Sequence, residues 1–364
     1  MTGADPHDCL KLTAYFGERD RAGGRFLADA LVEAYARHGL RIGLVMRGVE
    51  GFGLHQRLRT DRLLTLSEDL PIVSVAVDER ARVEAVLGEL GGLGFEGLVT
   101  LERARMLSGR LEPVVLPPGL GEEVKLTVYP GRRERAGGRP AFEEAVGLLH
   151  ARGVAGATVL LGVDGVADGE RRRASFVGAN ERVPLMIIAI GAGERIAAAL
   201  PELGELLQAP LATLERVRVC KRDGVALAEP HALPGKDPSG LGIWQKLMVY
   251  AGEQSRHAGH PLHERIVREL RAAGAAGATT LRGIWGYHGD HAPHGDTVWR
   301  LGRRVPVVTV AVDVPERVRE WFAIVDRITG ETGLVTSEMV PAFRSSSGQV
   351  TAGGLRLASH GPAR

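Results

Sequence analysis

Apolar and polar residues alternate along the stretch LKLTAYF from Leu10 to Phe16, which is the period of a half-buried strand. A glycine-rich turn follows, and then a helix whose buried stripe is predicted from Leu27, Leu31 and Tyr35. Gly39 stands where a left-handed residue ends such a helix. The chain therefore opens with a strand, a turn and a helix.

The same kind of pattern predicts the elements that come next. A second strand is predicted from Ile42 to Arg47, a long polar loop from Gly48 to Leu70, and a third strand from Pro71. A second helix buries Val83, Val86, Leu87 and Leu90, and a final strand surrounds the LVTLE of residues 98–102. The predicted order is βαββαβ, the split βαβ pattern of ferredoxin-like folds.

The sequence of this unit occurs three times along the chain. The segment KLTAYFGERDRAGG from Lys11 returns as KLTVYPGRRERAGG from Lys125 and as KLMVYAGEQSRHAG from Lys246. The fold class predicted from the repeat is α+β, with three tandem ferredoxin-like domains packed as an intramolecular pseudo-trimer. In that arrangement the sheet faces without helices cover one another.

The domain boundaries follow from the repeats and from segments rich in proline and glycine. We assign residues 8–106, 124–221 and 244–344 to copies 1, 2 and 3, and residues 107–123 and 222–243 to linkers. The tail at 345–364 is predicted to be disordered.

Composition narrows the class of protein. The 364 residues carry 46 Lys and Arg against 44 Asp and Glu, which argues against a broad nucleic-acid-binding surface. The apolar stretch VPLMIIAI is far shorter than a membrane span, and the polar N-terminus does not resemble a signal peptide. Two cysteines cannot form a disulfide framework. We expect a cytoplasmic, bacterial protein.

Four motifs of copy 1 resemble one known family: GERDRAGG after the first strand, GVEGFG at Gly48, LSEDLPIV at Leu66 and EGLVTLE at Glu96. They are similar to domain-of-unknown-function family 190, of the PII-like superfamily. Copies 2 and 3 depart from it in the central loop. The resemblance implies a trimeric ferredoxin-like assembly, here within one chain. It also implies effector binding between subunits and a long loop that reports occupancy to a partner protein. Some relatives of this architecture bind divalent metals instead.

The glycine turn after the first strand is the first candidate site. Its N–H groups and the helix start behind it suit an anion, with a recurring arginine as the fixed positive charge. The alternative is a plain glycine turn with solvated arginines, and we favour it. The candidate residues are Gly17, Glu18, Arg21, Gly23 and Gly24 in copy 1, Gly131, Arg135, Gly137 and Gly138 in copy 2, and Gly252, Arg256 and Gly259 in copy 3.

A Lys-x-x-x-Tyr pattern on the first strand is the second candidate. Its side chains point away from the helices, towards the other copies. They bind an anion there, or they form cross-strand ion pairs with glutamates of the last strand; we favour the ion pairs. The residues are Lys11, Tyr15, Lys125, Tyr129, Lys246 and Tyr250, with Glu102, Glu215 and Glu338 as partners.

The central loop is the third candidate, because loops of this length usually bind something. In copy 1 the predicted ligand-binding residues are Gly48, Gly51, Gly53, His55 and Arg57, and the alternative is a disordered hairpin tip. In copy 3 the loop carries histidines whose nitrogens suit Zn, Ni or Cu, although a solvated loop is favoured over a metal site. The candidate metal ligands are His288, His291 and His294.

Neither a nucleophile elbow nor a cysteine–histidine pair is apparent, so we expect a protein that is not an enzyme. The leading hypothesis is a monomeric PII-like regulatory protein that binds a small anionic effector, an adenine nucleotide, between copies. The alternatives are a scaffold that docks on a partner such as a membrane ion transporter, and a metal-binding protein that uses the histidine loop.

Overall fold

A computed structural model describes most of the chain. The described residues are 9–53, 56–61, 69–92, 95, 97–109, 111, 123–172, 183–207, 210–236, 242–289, 292–295, 305–340, 342–347 and 350–354. No helix in these ranges is long and apolar enough to cross a membrane.

Each copy has the predicted element order, with short hairpins added in the turns and loops. Copy 1 comprises β1 (Cys9–Gly17), β2 (Arg21–Ala22), β3 (Arg25–Phe26), α1 (Leu27–Arg37), β4 (Ile42–Phe52), β5 (Arg59–Thr60), β6 (Pro71–Glu79), α2 (Arg80–Gly92) and β7 (Gly97–Leu107). Copy 2 comprises β8 (Glu123–Tyr129), β9 (Arg135–Ala136), β10 (Arg139–Pro140), α3 (Ala141–Ala151), β11 (Gly156–Leu161), β12 (Asp164–Ala167), β13 (Glu170–Arg171), β14 (Leu185–Ala192), α4 (Gly193–Leu206), β15 (Leu211–Arg222) and β16 (Val225–Ala226). Copy 3 comprises β17 (Trp244–Gly252), β18 (Arg256–His257), β19 (His260–Pro261), α5 (Leu262–Ala272), β20 (Ala278–His288), β21 (His294–Gly295), β22 (Pro306–Asp313), α6 (Pro315–Thr329), β23 (Leu334–Val340), β24 (Ala342–Ser347) and β25 (Val350–Gly354).

Helix α1 shows how the local sequence determines these elements. The predicted stripe of Leu27, Leu31 and Tyr35 is buried. The helix ends where Gly39 takes a φ of 61°, which lets the N–H of Leu40 turn back and donate to the carbonyl of Tyr35 at 3.0 Å. Both features of the sequence pattern are confirmed.

The prediction of three ferredoxin-like domains packed as a pseudo-trimer is wrong. Antiparallel pairing runs through nine strands that close into a barrel, in the order β7, β1, β6, β4, β20, β22, β17, β23 and β15. Strands β8, β14 and β11 of copy 2 bridge β15 and β20 of this barrel. The described residues thus form one sheet of 19 strands, three separate two-stranded sheets and six helices.

The cause of the closure is that two strands of each copy run past their own sheet. The end of β4 pairs with the start of β20, the end of β20 with the start of β11, and β12 with the start of β4. The last strands form a second such cycle, from β7 to β15, from β15 to β23, and from β24 back to β7. Strand periodicity within a copy does not say which strand will meet its edges.

Strand β4 is longer than predicted, because the start of the predicted loop continues as strand. Its glycines allow the backbone of copy 3 to come close. A Cβ added at Gly48 would lie 3.0 Å from the carbonyl oxygen of Thr280, and one at Gly51 would lie 2.6 Å from that of Ala278. The motif GVEGFG is therefore part of a strand crossing between copies.

Strands β4, β12 and β20 each send a side chain near their end into the helix-covered core of another copy. Phe52 of copy 1 packs in the core of copy 3, Val166 of copy 2 in that of copy 1, and Tyr287 of copy 3 in that of copy 2. The Tyr287 hydroxyl donates to the carbonyl of Val154 at 2.9 Å. The copies are thus joined by side chains as well as by strands.

The chain is ordered beyond the point where the disordered tail was predicted to begin. Strands β24 and β25 form a hairpin, and β24 pairs with residues 97–101 of β7. Pairing with the free edge of β7 orders this segment, and amino-acid composition alone does not predict such pairing. Residues 348–349 and 355–364 of the predicted tail lie outside the described residues.

A central core lies inside the three copies, and a ring of charges is buried in it. Each first-strand lysine faces the glutamate directly opposite on the last strand of its own copy, as expected. The Nζ–Oε2 distances are 3.4 Å for Lys11–Glu102, 2.8 Å for Lys125–Glu215 and 2.8 Å for Lys246–Glu338.

Each lysine also binds the glutamate of another copy. Lys11 contacts Glu215, Lys125 contacts Glu338, and Lys246 lies 2.5 Å from Glu102. We call these six residues the Lys–Glu ring. All six are at most 6% exposed. The ring balances three positive and three negative charges, so its neutrality requires all three copies.

The lysines determine the charge state of the ring. Burial disfavours the carboxylate of Glu102, but the charges of Lys11, Lys246 and Lys125 outweigh burial and hold its pKa well below its usual value. The pKa of Glu215 is lowered by the same balance. Glu102 and Glu215 are therefore ionised in the folded protein across the neutral range.

The Phe52 contact between copies is tested by Phe52→Ala. We expect this change to lower the free energy of unfolding by about 3–5 kcal/mol, because it leaves a cavity in the core of copy 3. The matched control is Phe26→Ala at a side chain that is 44% exposed, with an expected loss below about 1 kcal/mol. Urea denaturation measures both, and equal losses would contradict the assigned packing.

The Lys–Glu ring is tested by Lys11→Met. We expect a loss of about 3–5 kcal/mol in the free energy of unfolding, because the change leaves buried carboxylates without one of their compensating charges. Lys236→Met at an exposed lysine is the control, with an expected change within about 0.5 kcal/mol. A Lys11→Met variant as stable as the control variant would show that the ring does not form.

The pH dependence of stability gives a separate test. Because the pKa of Glu102 is lowered in the folded state, its contribution is complete above about pH 4.3, where an unfolded glutamate ionises, and is lost as the pH falls through the folded pKa. We expect the stability difference between wild type and Glu102→Gln to be constant from neutral pH to about pH 5, and to shrink below about pH 4. Exposed Glu320→Gln should show no such change. A difference that shrinks between neutral pH and pH 5 contradicts the assignment.

Candidate functional site

The glycine turn of copy 1 forms a small hairpin between the first strand and the first helix. Gly23 and Gly24 take φ values of 56° and 81° between β2 and β3, a region that favours glycine. Gly137 and Gly138 repeat this geometry in copy 2, and in copy 3 Gly259 follows a left-handed Ala258. The glycines thus serve the same backbone turn in every copy.

The recurring arginine of the turn binds the turn itself. Arg21 donates to the carbonyl of Gly24 at 2.9 Å, and its guanidinium lies 4.4 Å from the ring centre of Phe26. Arg135 and Arg256 donate to the equivalent carbonyls of Gly138 and Gly259, at 3.0 and 3.4 Å. These exposed arginines hold the hairpin closed, which supports the structural interpretation of the motif.

Protein groups also occupy the backbone N–H that begins the turn. The N–H of Gly17 donates to the carboxylate of Asp20 at 2.7 Å, and that of Gly131 donates to Glu134 at 3.2 Å. In copy 3 the hydroxyl oxygen of Ser255 would lie 3.5 Å from a Cβ added at Gly252. The predicted anion site in the turn therefore already has a carboxylate in copies 1 and 2.

A cleft lies beside this turn, at the seam between copies 1 and 3. We call it cleft A; its volume is about 100 Å³. Apolar groups form its walls, and charged groups stand at Asp20, Arg57 and Arg59. Its lining includes Tyr15, Phe16, Asp20, Phe52, Gly53, Arg57, Arg59, Pro71, Gly97, Leu98, Val310, Val312 and the backbone of 276–279. Tyr15, Gly53 and Arg57 are the predicted site residues that meet here.

The two arginines of cleft A differ in their partners. Arg59 lies 2.9 Å from Asp69 and 3.9 Å from Asp20, and its guanidinium covers Gly17, where a Cβ would come within 2.5 Å. Arg57 is exposed and makes no ion pair with a described residue. Burial and nearby glutamates raise the pKa of Tyr15 well above its usual value, so its hydroxyl stays neutral. Cleft A therefore offers one guanidinium for an anion, beside an apolar wall.

An equivalent cleft lies at the seam between copies 2 and 1. We call it cleft B; its volume is about 470 Å³. Tyr129, Glu134 and Leu211 stand where Tyr15, Asp20 and Leu98 stand in cleft A. The lining is Arg41, Ile42, Ser108, Gly109, Tyr129, Glu134, Ala167, Asp168, Leu207, Pro210 and Leu211.

At the third seam, between copies 3 and 2, Asp223 and His288 lie beside the backbone of Gly289. The carboxylate of Asp223 lies 3.6 Å from the Nδ1 of His288 and would meet a Cβ at Gly289 within 2.2 Å. The N–H of Gly289 donates to the carbonyl of Ala155 at 2.9 Å. The same backbone arrangement thus carries different side chains at each seam.

The remaining predicted residues lie elsewhere. Glu18 pairs with Arg47 at 2.9 Å on the surface. Lys11, Lys125 and Lys246 belong to the Lys–Glu ring, and Tyr250 is buried near it, whereas Tyr129 lines cleft B. His55 lies outside the described residues.

The histidines of the third loop form no ligand set within the described ranges. His288 lies beside Asp223, and His294 Nδ1 is 3.0 Å from the carbonyl of Ala292; His291 is not among the described residues. The group of three donors that does converge is Glu102, Glu215 and Glu338, with ligand atoms within 4.8 Å of one another. Lysine ammonium groups already contact these oxygens, so the three glutamates do not fit a metal ion.

The predicted site residues do not include Arg41, Glu134 or Arg59, although Arg59 lies in the central loop that is the third candidate. The acidic or serine residue three positions after the turn's first glycine was the available signal, because it recurs as Asp20, Glu134 and Ser255. Arg41 carried no such signal, since it reaches cleft B from another copy.

The comparisons with known proteins concern the family and the fold. A family model for DUF190, described as an uncharacterized ACR, matches residues 9–106, 123–219 and 244–342. Among solved structures, the chain is similar to the aspartate kinase from Synechocystis, at 12% identity and a TM-score of 0.28. That alignment covers 93% of this chain and 44% of the kinase chain, so this chain spans less than half of the kinase. A likeness at this level carries no argument about fold or activity. Because the family model matches most of the chain, the protein belongs to the DUF190 family and carries three consecutive copies of its domain.

Proposed function

We propose that the protein is a regulatory protein of the PII-like kind, which binds a small anionic effector in cleft A and acts by binding rather than by catalysis. The observation that supports this most directly is Arg57, an exposed guanidinium without an ion pair among the described residues, beside an apolar cleft between two copies. A guanidinium of this kind recognises phosphate or carboxylate.

An adenine nucleotide is the effector that fits this chemistry. The enclosed volume of about 100 Å³ is too small for a whole nucleotide. The base would therefore enter between Phe16, Phe52 and Leu98, while the phosphates remain at the open edge beside Arg57. Aromatic and aliphatic walls suit the flat base, and the arginine suits the phosphates.

The segment that carries Arg57 contacts copy 3. Through these contacts, a ligand bound at Arg57 would affect the surface of both copies. The side-chain amide of Gln56 donates to the carbonyl of Ala275 at 2.8 Å, and Arg271 donates to the carbonyl of Gln56 at 2.6 Å. Asp61 lies 3.2 Å from Arg282. A phosphate at Arg57 would bias this segment, and we propose that a protein partner, such as a membrane transporter, responds to it. The protein would act as a monomer and would not bind nucleic acid.

A thermal-shift and calorimetric titration with ATP, ADP, AMP and cyclic AMP tests this function. We expect at least one nucleotide to raise Tm with concentration, because a ligand that binds only the folded state stabilises it. Arg57→Ala should weaken binding by about tenfold or more, through loss of a charge-assisted contact.

The matched control is Arg319→Ala, at an exposed arginine of α6 outside the cleft. It should bind with wild-type affinity. If none of the four nucleotides changes Tm, the scaffold function is favoured. If Arg57→Ala binds the nucleotide with unchanged affinity, the phosphate does not bind at Arg57 in cleft A.

A further inference from the structure

We propose that cleft B is a second ligand site, which binds a zwitterion of the α-amino-acid class: Arg41 of copy 1 takes the carboxylate, and Glu134 of copy 2 takes the ammonium group. The proposal concerns a different seam and different residues from cleft A, and it does not rest on nucleotide binding there.

The guanidinium of Arg41 can bind an anion. Its main-chain N–H donates to Asp78 at 2.8 Å, so the backbone of the residue is held in place. Among the described residues, the half-buried guanidinium donates long hydrogen bonds, at 3.4 Å to the Ser108 hydroxyl and at 3.9 Å to the Met106 sulfur. It makes no ion pair with a described residue. Its planar donor pairs suit a carboxylate that accepts two hydrogen bonds.

The carboxylate of Glu134 can accept a further hydrogen bond. One oxygen, Oε2, accepts from the N–H of Gly131 at 3.2 Å. The other, Oε1, is shielded from solvent and has no hydrogen-bond partner among the described residues. Burial raises the pKa of this carboxyl group, which reflects the lack of a compensating charge. In cleft A the equivalent Asp20 has Arg59 nearby, so the unsatisfied acid is particular to cleft B.

Two opposite charges thus line one cleft without pairing. Arg41 and Glu134 come from different copies, and no ion pair within 4.0 Å joins them. Half-buried charges without partners are costly, and one molecule that carries both complementary charges relieves both costs. A simple anion or a simple amine would relieve only one. Asp168 at the exposed edge adds a second negative charge, which further favours an ammonium group.

The rest of the lining indicates the side chain of the ligand. Ile42, Leu207 and Leu211 supply an aliphatic wall. The volume of about 470 Å³ exceeds the need of a single amino acid and lies within the usual range for small-molecule sites. An aliphatic amino acid such as leucine therefore matches both the charges and the wall.

Isothermal titration of the full chain with L-leucine and two matched analogues tests the proposal. Leucinamide lacks the carboxylate, and 4-methylpentanoate lacks the ammonium group. We expect leucine to bind and each analogue to bind about tenfold more weakly or worse, since each loses one charge-assisted contact. This comparison uses the wild-type protein and does not depend on how any variant folds.

Variants then assign each charge to its residue. Arg41→Gln should remove the preference for leucine over leucinamide, and Glu134→Gln should remove the preference for leucine over 4-methylpentanoate. Arg319→Gln and Glu320→Gln, at exposed positions of α6, are the controls and should keep both preferences.

Three results would overturn the proposal. The first is that leucine, isoleucine and valine all give no heat of binding at millimolar concentration. The second is that leucinamide or 4-methylpentanoate binds as well as leucine. The third is that both preferences survive in Arg41→Gln and Glu134→Gln while circular dichroism shows the variants to be folded.

Discussion

Backbone pairing between the copies is the constraint on which the rest of this structure depends. Strand β4 ends against β20 of copy 3, and β7 ends against β15 of copy 2, so the sheet of copy 1 has no independent edges. An unpaired edge would leave N–H and C=O groups to water or to other chains. The closure of the barrel therefore satisfies the backbone of all three copies together. It also creates the seams in which both clefts lie.

The Lys–Glu ring places a second demand on the same arrangement. A buried charge is tolerated when its partners are held at hydrogen-bond distance. Lys11 faces Glu102 in its own copy and Glu215 in the next, and the pattern returns to copy 1 through Lys246. A shift of one copy relative to the others would leave charges unpaired in an apolar core. The ring thus fixes the relative position of copies that strand pairing already joins.

Within this closed frame the three seams have diverged. Cleft A presents the arginine Arg57, cleft B presents Arg41 and Glu134, which form no ion pair with a described residue, and the third seam carries Asp223 beside His288. Three identical chains would have three identical seams, because any substitution would appear at all of them. Fusion into one chain lets each seam change alone. A protein that senses more than one small molecule can arise in this way.

The amino-acid sequence by itself determined the elements, the threefold repeat, the family and the lysine–glutamate pair within each copy. These rest on periodicity and on partners fixed by strand register, which are local properties. Only the tertiary structure decided that Lys11 also binds Glu215, that Gly48 and Gly51 lie at a strand crossing, and that Arg41 shares a cleft with Glu134. Each of these depends on contacts between copies far apart in the chain. No local pattern encodes them, because the same strand edge can pair with any other edge that the closed barrel brings beside it.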